Sequence, residues 1–137
     1  MAESLPPVIS AIGKQLDALR ALLDETGMTL VVENDQTNYG QLAPMQRFKA
    51  ACRVMNLPVN LTFDMGNWLW VGESPEEAAK HLAPAVSYIH VKAAVPHQQQ
   101  YRAVPPDHDS TRWQALLDQL PADAPRGIEF SAGRPKT

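Results

Sequence analysis

The chain has one cysteine, no run of lysine or arginine, and no apolar stretch long enough to span a bilayer. Each of these absences removes a class of protein. A lone thiol cannot close an internal disulfide, and Cys52 falls on the apolar side of a helical pattern, which predicts a buried, inert side chain. Without a basic stripe, and with a net charge of −3, the chain is not built to track a phosphate backbone. The start, Met-Ala-Glu-Ser-Leu-Pro-Pro, has neither the basic lead nor the apolar segment of a secretory signal, so the expectation is a cytoplasmic protein with no membrane and no nucleic-acid partner. What is present suits a soluble globular chain: 45% apolar and 20% charged residues over 137 positions, enough for one domain (1–137) with a real core and too few for two.

Hydrophobic periodicity sets out the elements. Ile9, Ile12, Leu16, Leu19 and Leu23 recur at helical spacing, with Gly27 as a C-terminal stop. Met28 to Glu33 reads as a short strand and Leu42 to Met55 as a second helix. Asn60 to Phe63 is a strand, and Ser74-Pro75-Glu76-Glu77 combines an N-cap, a proline at the first helical position and a capping glutamate. Tyr88 to Lys92, Thr111 to Leu120 and Gly127 to Phe130 follow as strand, helix and strand, with Val95 to Asp109 expected as a long polar loop. Strands that alternate with helices predict an α/β fold with a parallel sheet and right-handed crossovers, which puts all strand C-termini on one edge. Periodicity alone does not separate an open doubly wound sheet from a sector of a barrel. No glycine-rich phosphate fingerprint follows a strand, which argues against a nucleotide site.

Each of the four strands ends in a residue that can bind metal: Glu33, Asp64, His90 and Glu129. One alone has an ordinary explanation, as a helix cap or a hydrogen-bonded core histidine. Four at the same point of successive units are satisfied together by one shared cation, because a buried ionisable group is costly unless paired or coordinated. Three carboxylates and one imidazole suit Mn²⁺, Mg²⁺ or Co²⁺ better than a structural zinc.

These residues carry a resemblance. Asp64-Met65-Gly66-Asn67 and His90-Val91-Lys92, with the spacing of the four strand ends, look like the C-terminal half of the xylose-isomerase-like TIM barrel superfamily, over about Leu16 to Phe130. That superfamily includes sugar phosphate isomerases, ketose epimerases, hydroxypyruvate isomerase and an apurinic (AP) endonuclease branch, family 2. The resemblance implies about half of a (β/α) barrel, with four βα-type units, that takes a sugar or sugar phosphate and moves a proton beside a carbonyl through an enediolate. Glu33 and Glu129 would be the base and acid pair while Asp64 and His90 hold the metal. Asn67 stands where that family holds a substrate oxygen, while the placement of Lys92 predicts a contact with a substrate oxyanion and that of Trp68 and Trp70, close after Asp64, an apolar wall for a sugar ring. The sequence departs from the pattern at Asn67, where many epimerases have a histidine, and at Ala93-Ala94, where an acid often follows the His-x-Lys word.

Two other functions are compatible with parts of the pattern. AP-endonuclease-like phosphodiester cleavage needs further metal ligands and a basic surface, and Asp107 with His108 only loosely resembles that branch's Asp-x-His word. A non-catalytic truncated barrel, acting as an interaction or assembly module, fits the length, since a complete barrel takes about 250 residues. Four strands leave two open edges, so the expected partner is a second copy or a missing N-terminal half.

Overall fold

The computed structural model describes residues 5–131, with side chains described except at 5–12 and 108–110. Helix α1 (Leu5–Thr26) leads into β1 (Leu30–Glu33), α2 (Leu42–Val54) and β2 (Val59–Asp64). After β2 come the short α3 (Asn67–Trp70), α4 (Pro75–Leu82) and β3 (Val86–Val91). A hairpin of β4 (Ala93–His97) and β5 (Gln100–Val104), then α5 (Ser110–Asp118) and β6 (Arg126–Ile128), complete the chain. The fold is α/β, with β1, β2, β3 and β6 forming one parallel sheet in that order. The expected positions Ile9, Ile12 and His108 lie outside the described side chains. No helix among the described residues is long and apolar enough to cross a membrane.

Local chemistry explains the boundaries. Gly27 adopts φ +68° and its N–H donates to Leu23 O at 3.0 Å, a left-handed stop that a Cβ would strain. Ser74 accepts from Glu77 N at 3.2 Å with Pro75 behind it, so α4 starts where the capping signal put it. At the end of α2 the Arg20 guanidinium donates to Met55 O (2.7 Å) and Asn56 O (3.0 Å), tying α1 to carbonyls that the helix leaves open.

One face of the sheet makes the core. Leu61, Phe63 and Ile89 are at most 1% exposed and pack with Met45 of α2, Leu82 of α4 and Trp113 and Leu116 of α5. Cys52 is buried on α2, as its periodicity predicted. Alternate residues point the other way, and Val31, Glu33, Thr62, Tyr88 and His90 line an open groove of about 400 Å³. This alternation is what delivers strand-end side chains to one side.

Two expectations need correction. Val95 to Asp109 is not a long loop: most of it is the antiparallel β4–β5 hairpin, followed by a 3-10 turn at Pro106–Asp109. The turn residues Gln98 (φ 49°) and Gln99 (φ 65°) both adopt the left-handed region that a two-residue hairpin turn demands. Glutamine there gives no turn signal, which is why the polar stretch reads as a loop. The last strand also ends earlier than expected, at Ile128, although Glu129 N still donates to Val91 O at 3.1 Å and so remains tied to β3.

Gly127 has a steric reason. A Cβ there would run into the Tyr88 hydroxyl and lie 3.1 Å from Tyr88 Cζ. Gly127→Ala should therefore push the Tyr88 ring toward the groove and lower stability by about 1–3 kcal/mol, read as a shifted urea midpoint. An unchanged midpoint would show that the ring moves freely.

Candidate metal centre

The strand ends bring Glu33, Asp64, His90 and Glu129 together, with one ligand atom from each lying within 4.8 Å of the others. His90 Nδ1 hydrogen-bonds Glu33 Oε2, and lies 3.2 Å from Glu129 Oε2 and 3.7 Å from Asp64 Oδ2. Asp64 is fully buried, Glu33 and His90 are half-buried, and Glu129 is exposed. A single nitrogen facing three carboxylates can donate one proton, so it cannot neutralise all of them.

Asp64 is the best-positioned member. Its Oδ1 accepts from Gly66 N (3.0 Å) and Asn67 N (2.8 Å), which fixes the carboxylate against the first turn after β2. Its own N–H donates to Asn34 Oδ1 (2.8 Å), while Asn34 Nδ2 donates back to Asp64 O (3.2 Å). Asn67 Nδ2 donates to Asn34 O (2.9 Å), and Gln36 Nε2 donates to Asn67 Oδ1 (3.1 Å). Asn34 and Gln36 were not singled out in the sequence, where they sit among ordinary loop polar residues after β1. Only the buried state of Asn34 (1% exposed) reveals its part in holding Asp64. Asn34→Ala should loosen any cation bound at Asp64 by about 10–100-fold, the usual scale for a group that orients a ligand, as titration calorimetry with Mn²⁺ would show.

The other carboxylate oxygen, Asp64 Oδ2, is buried with no hydrogen-bond partner. The Lys92 ammonium forms an ion pair with it at 3.2 Å and with Glu129 Oε2 at 3.5 Å, and lies 5.5 Å from the Trp70 ring centroid. Burial, then the neighbouring Glu129 carboxylate, push Asp64 up to about 8 despite Lys92. Glu129 is correspondingly held below its usual range, first by the hydrogen bond it takes from a protonated Asp64, then by Lys92 and His90 against its own partial burial. In the metal-free protein Asp64 and Glu129 therefore share a proton in a site with room for more positive charge.

That proton has a measurable consequence. The folded chain keeps a proton on Asp64 that the unfolded chain releases near pH 3.8, so stability falls as pH rises from about 4 to about 8. The slope from this group is at most about 1.4 kcal/mol per pH unit. Urea unfolding in EDTA should show it for the wild type and not for Asp64→Asn, and parallel profiles would remove Asp64 as its source.

The remaining expected residues divide. Lys92 lies within the cluster and is 5% exposed. Asn67 is buried and its side chain is engaged by Asn34 and Gln36. Trp68, expected beside substrate, is instead fully buried, with its ring 5.5 Å from Phe63, because α3 turns it into the core. Trp70 is the tryptophan on the site side, 5.5 Å from the Lys92 ammonium, with its ring tilted 52° to that of Tyr101 of the hairpin at 5.7 Å. Tyr88, which the sequence reading passed over, meets the His90 ring edge-on at 5.5 Å and sets its orientation.

The donor set fits a hard divalent cation: three carboxylates and an imidazole, with only the Lys92 ammonium beside the buried Asp64 Oδ2 among the described cations. A larger groove of about 500 Å³ between α2 and α4, lined by Lys49, Arg53 and His81, lies away from these residues. The chain matches no protein-family model, and no curated protein matches it at a significant level.

Proposed function

We propose that the chain is the metal-bearing half of a divalent-cation-dependent sugar or sugar-phosphate isomerase or epimerase, with Mn²⁺, Mg²⁺ or Co²⁺ held by Glu33, Asp64, His90 and Glu129. The observation that carries this reading is the convergence of Glu33, Asp64, His90 and Glu129, one ligand atom of each within 4.8 Å of the others, around a fully buried carboxylate. The strand order β1-β2-β3-β6 has no reversal, which supports a barrel sector over a doubly wound sheet.

A bound cation would polarise the oxygens of an adjacent carbonyl and hydroxyl and so acidify the C–H between them. The chain's own residues have separate tasks. Glu33 ends β1 and Glu129 follows β6, the two outer strands of the sheet, and as a pair of carboxylates beside the same imidazole they suit removal and return of a proton. Asp64 is too deeply buried to reach substrate and serves as an anchor. Tyr88 and Glu33 orient His90, and Lys92, paired with Asp64 and Glu129, would supply a cation for a substrate oxyanion.

One observation favours a metal-free cluster: Lys92 already places a positive charge among the carboxylates. Against it stands the raised Asp64, which shows that one ammonium does not compensate the burial. The test is Mn²⁺-dependent incorporation of deuterium from D₂O at the carbon beside the carbonyl of a panel of ketoses and ketose phosphates. Exchange that disappears in Glu33→Gln and Glu129→Gln supports the reading. Tight Mn²⁺ binding with no exchange for any sugar, in the assembled protein, would favour the non-catalytic module.

A further inference from the structure

The sheet has a stagger that says what completes it. Level with Glu33 across the sheet stands Thr62, and Asp64 is two residues beyond it. Asp64 is level with His90, His90 is level with Gly127, and Glu129 is again two residues beyond. These four side chains converge on one point, so they sit at one height while the register climbs four residues across four strands. An eight-stranded parallel barrel has a shear of eight. Half of that shear is already built into this sheet.

The two sheet edges, unpaired among the described residues, also complement each other. On the outer face of β6, Ile128 is 74% exposed, a large apolar side chain with no cover among the described residues. On the outer face at the free edge of β1 is a mostly apolar groove of about 220 Å³ lined by Val32, Pro44, Met45 and Phe48, with Tyr39 at its rim. An exposed isoleucine on one edge and an apolar hole on the other are what a ring of two identical units requires, because each edge then meets its opposite.

We propose that two copies of this chain close into one eight-stranded parallel barrel about a two-fold axis along the barrel, β6 of each pairing with β1 of the other. This deepens the reading of the sheet as half a barrel and rests on it. The register follows from the stagger. Four residues per copy sum to a shear of eight only when Glu129 is level with Glu33 of the partner subunit, and Ile128 then stands beside Val32 of the partner subunit, at its groove. Both metal clusters open at the same mouth, and the two groove surfaces become the barrel interior.

Sedimentation velocity of the full chain at micromolar concentration, with and without Mn²⁺, should give twice the 15.1 kDa chain mass. Ile128→Lys should give a monomer with unchanged circular dichroism, since that side chain is exposed in the single chain. The double variant Val32→Cys/Ile128→Cys should form a disulfide-linked dimer under mild oxidation. Val31→Cys/Ile128→Cys should not, because its thiols face opposite sides of the sheet. Within one chain β1 and β6 are separated by β2 and β3, so an internal cross-link cannot mimic the result. A wild-type monomer in both conditions overturns the proposal, as does a dimer that Ile128→Lys leaves intact or that links the two double variants equally. Mass and cross-linking do not depend on Asp64, so loss of the metal reading would leave these outcomes readable.

Discussion

Asp64→Ala is expected to lower Mn²⁺ affinity by more than about 100-fold, because it removes an anchored ligand rather than one of the groups that orient it. The buried carboxylate is held by Gly66 N, Asn67 N and the paired hydrogen bonds of Asn34 to its backbone, so no neighbour can swing in to replace it. His90→Ala should have a comparable effect, with Tyr88 losing its edge-on neighbour. The apo forms should respond differently. Removing Asp64 leaves the Gly66 and Asn67 N–H groups and the buried Lys92 ammonium without their carboxylate and should destabilise the apo protein, whereas His90→Ala strips none of these partners. Titration calorimetry with Mn²⁺, alongside urea unfolding in EDTA, separates loss of a ligand from loss of the fold. Equal affinity for wild type, Asp64→Ala and His90→Ala would end the metal reading.

Trp68→Ala should cost about 3–5 kcal/mol, the range for deleting a large buried aromatic side chain. Against a total of about 5–15 kcal/mol for a small domain, this is a large share of the stability. The ring is fully buried against Phe63, and its removal would open a cavity between the sheet and α4. Trp68→Phe should retain most of the stability and all of the metal affinity, whereas a residue that contacts substrate would lose ligand affinity without losing stability. Thermal melts of the three proteins distinguish the two. A Trp68→Ala chain that melts with the wild type would return this tryptophan to the groove.

Strand and helix positions were legible because the apolar patterns are strong. Leu61, Phe63 and Ile89 face helices through alternation, and Ser74-Pro75 marks α4 without ambiguity. The four strand-end residues were legible for the same reason: parallel strands separated by helices carry their C-terminal ends to one edge, and their side chains do converge. Orientation within short segments was not legible. Trp68 and Trp70 are two residues apart in a four-residue helix, and nothing in their spacing says which one faces the core. The hairpin was hidden by Gln98-Gln99, which lack the glycine or asparagine that announces such a turn. Asn34 and the Tyr88–Gly127 contact depend on residues far apart in the chain, so local pattern could not pair them.

The buried thiol gives the molecule a built-in clock. Cys52 is 3% exposed, and burial raises its pKa, so an alkylating reagent reaches the thiolate only when the packing around α2 opens. As the chain has no second cysteine, its labelling rate reports that single motion without any engineered probe. Recorded against protein concentration, the same rate would show whether association at the β1 edge, where α2 supplies Met45 and Phe48, slows the breathing of the helix behind it.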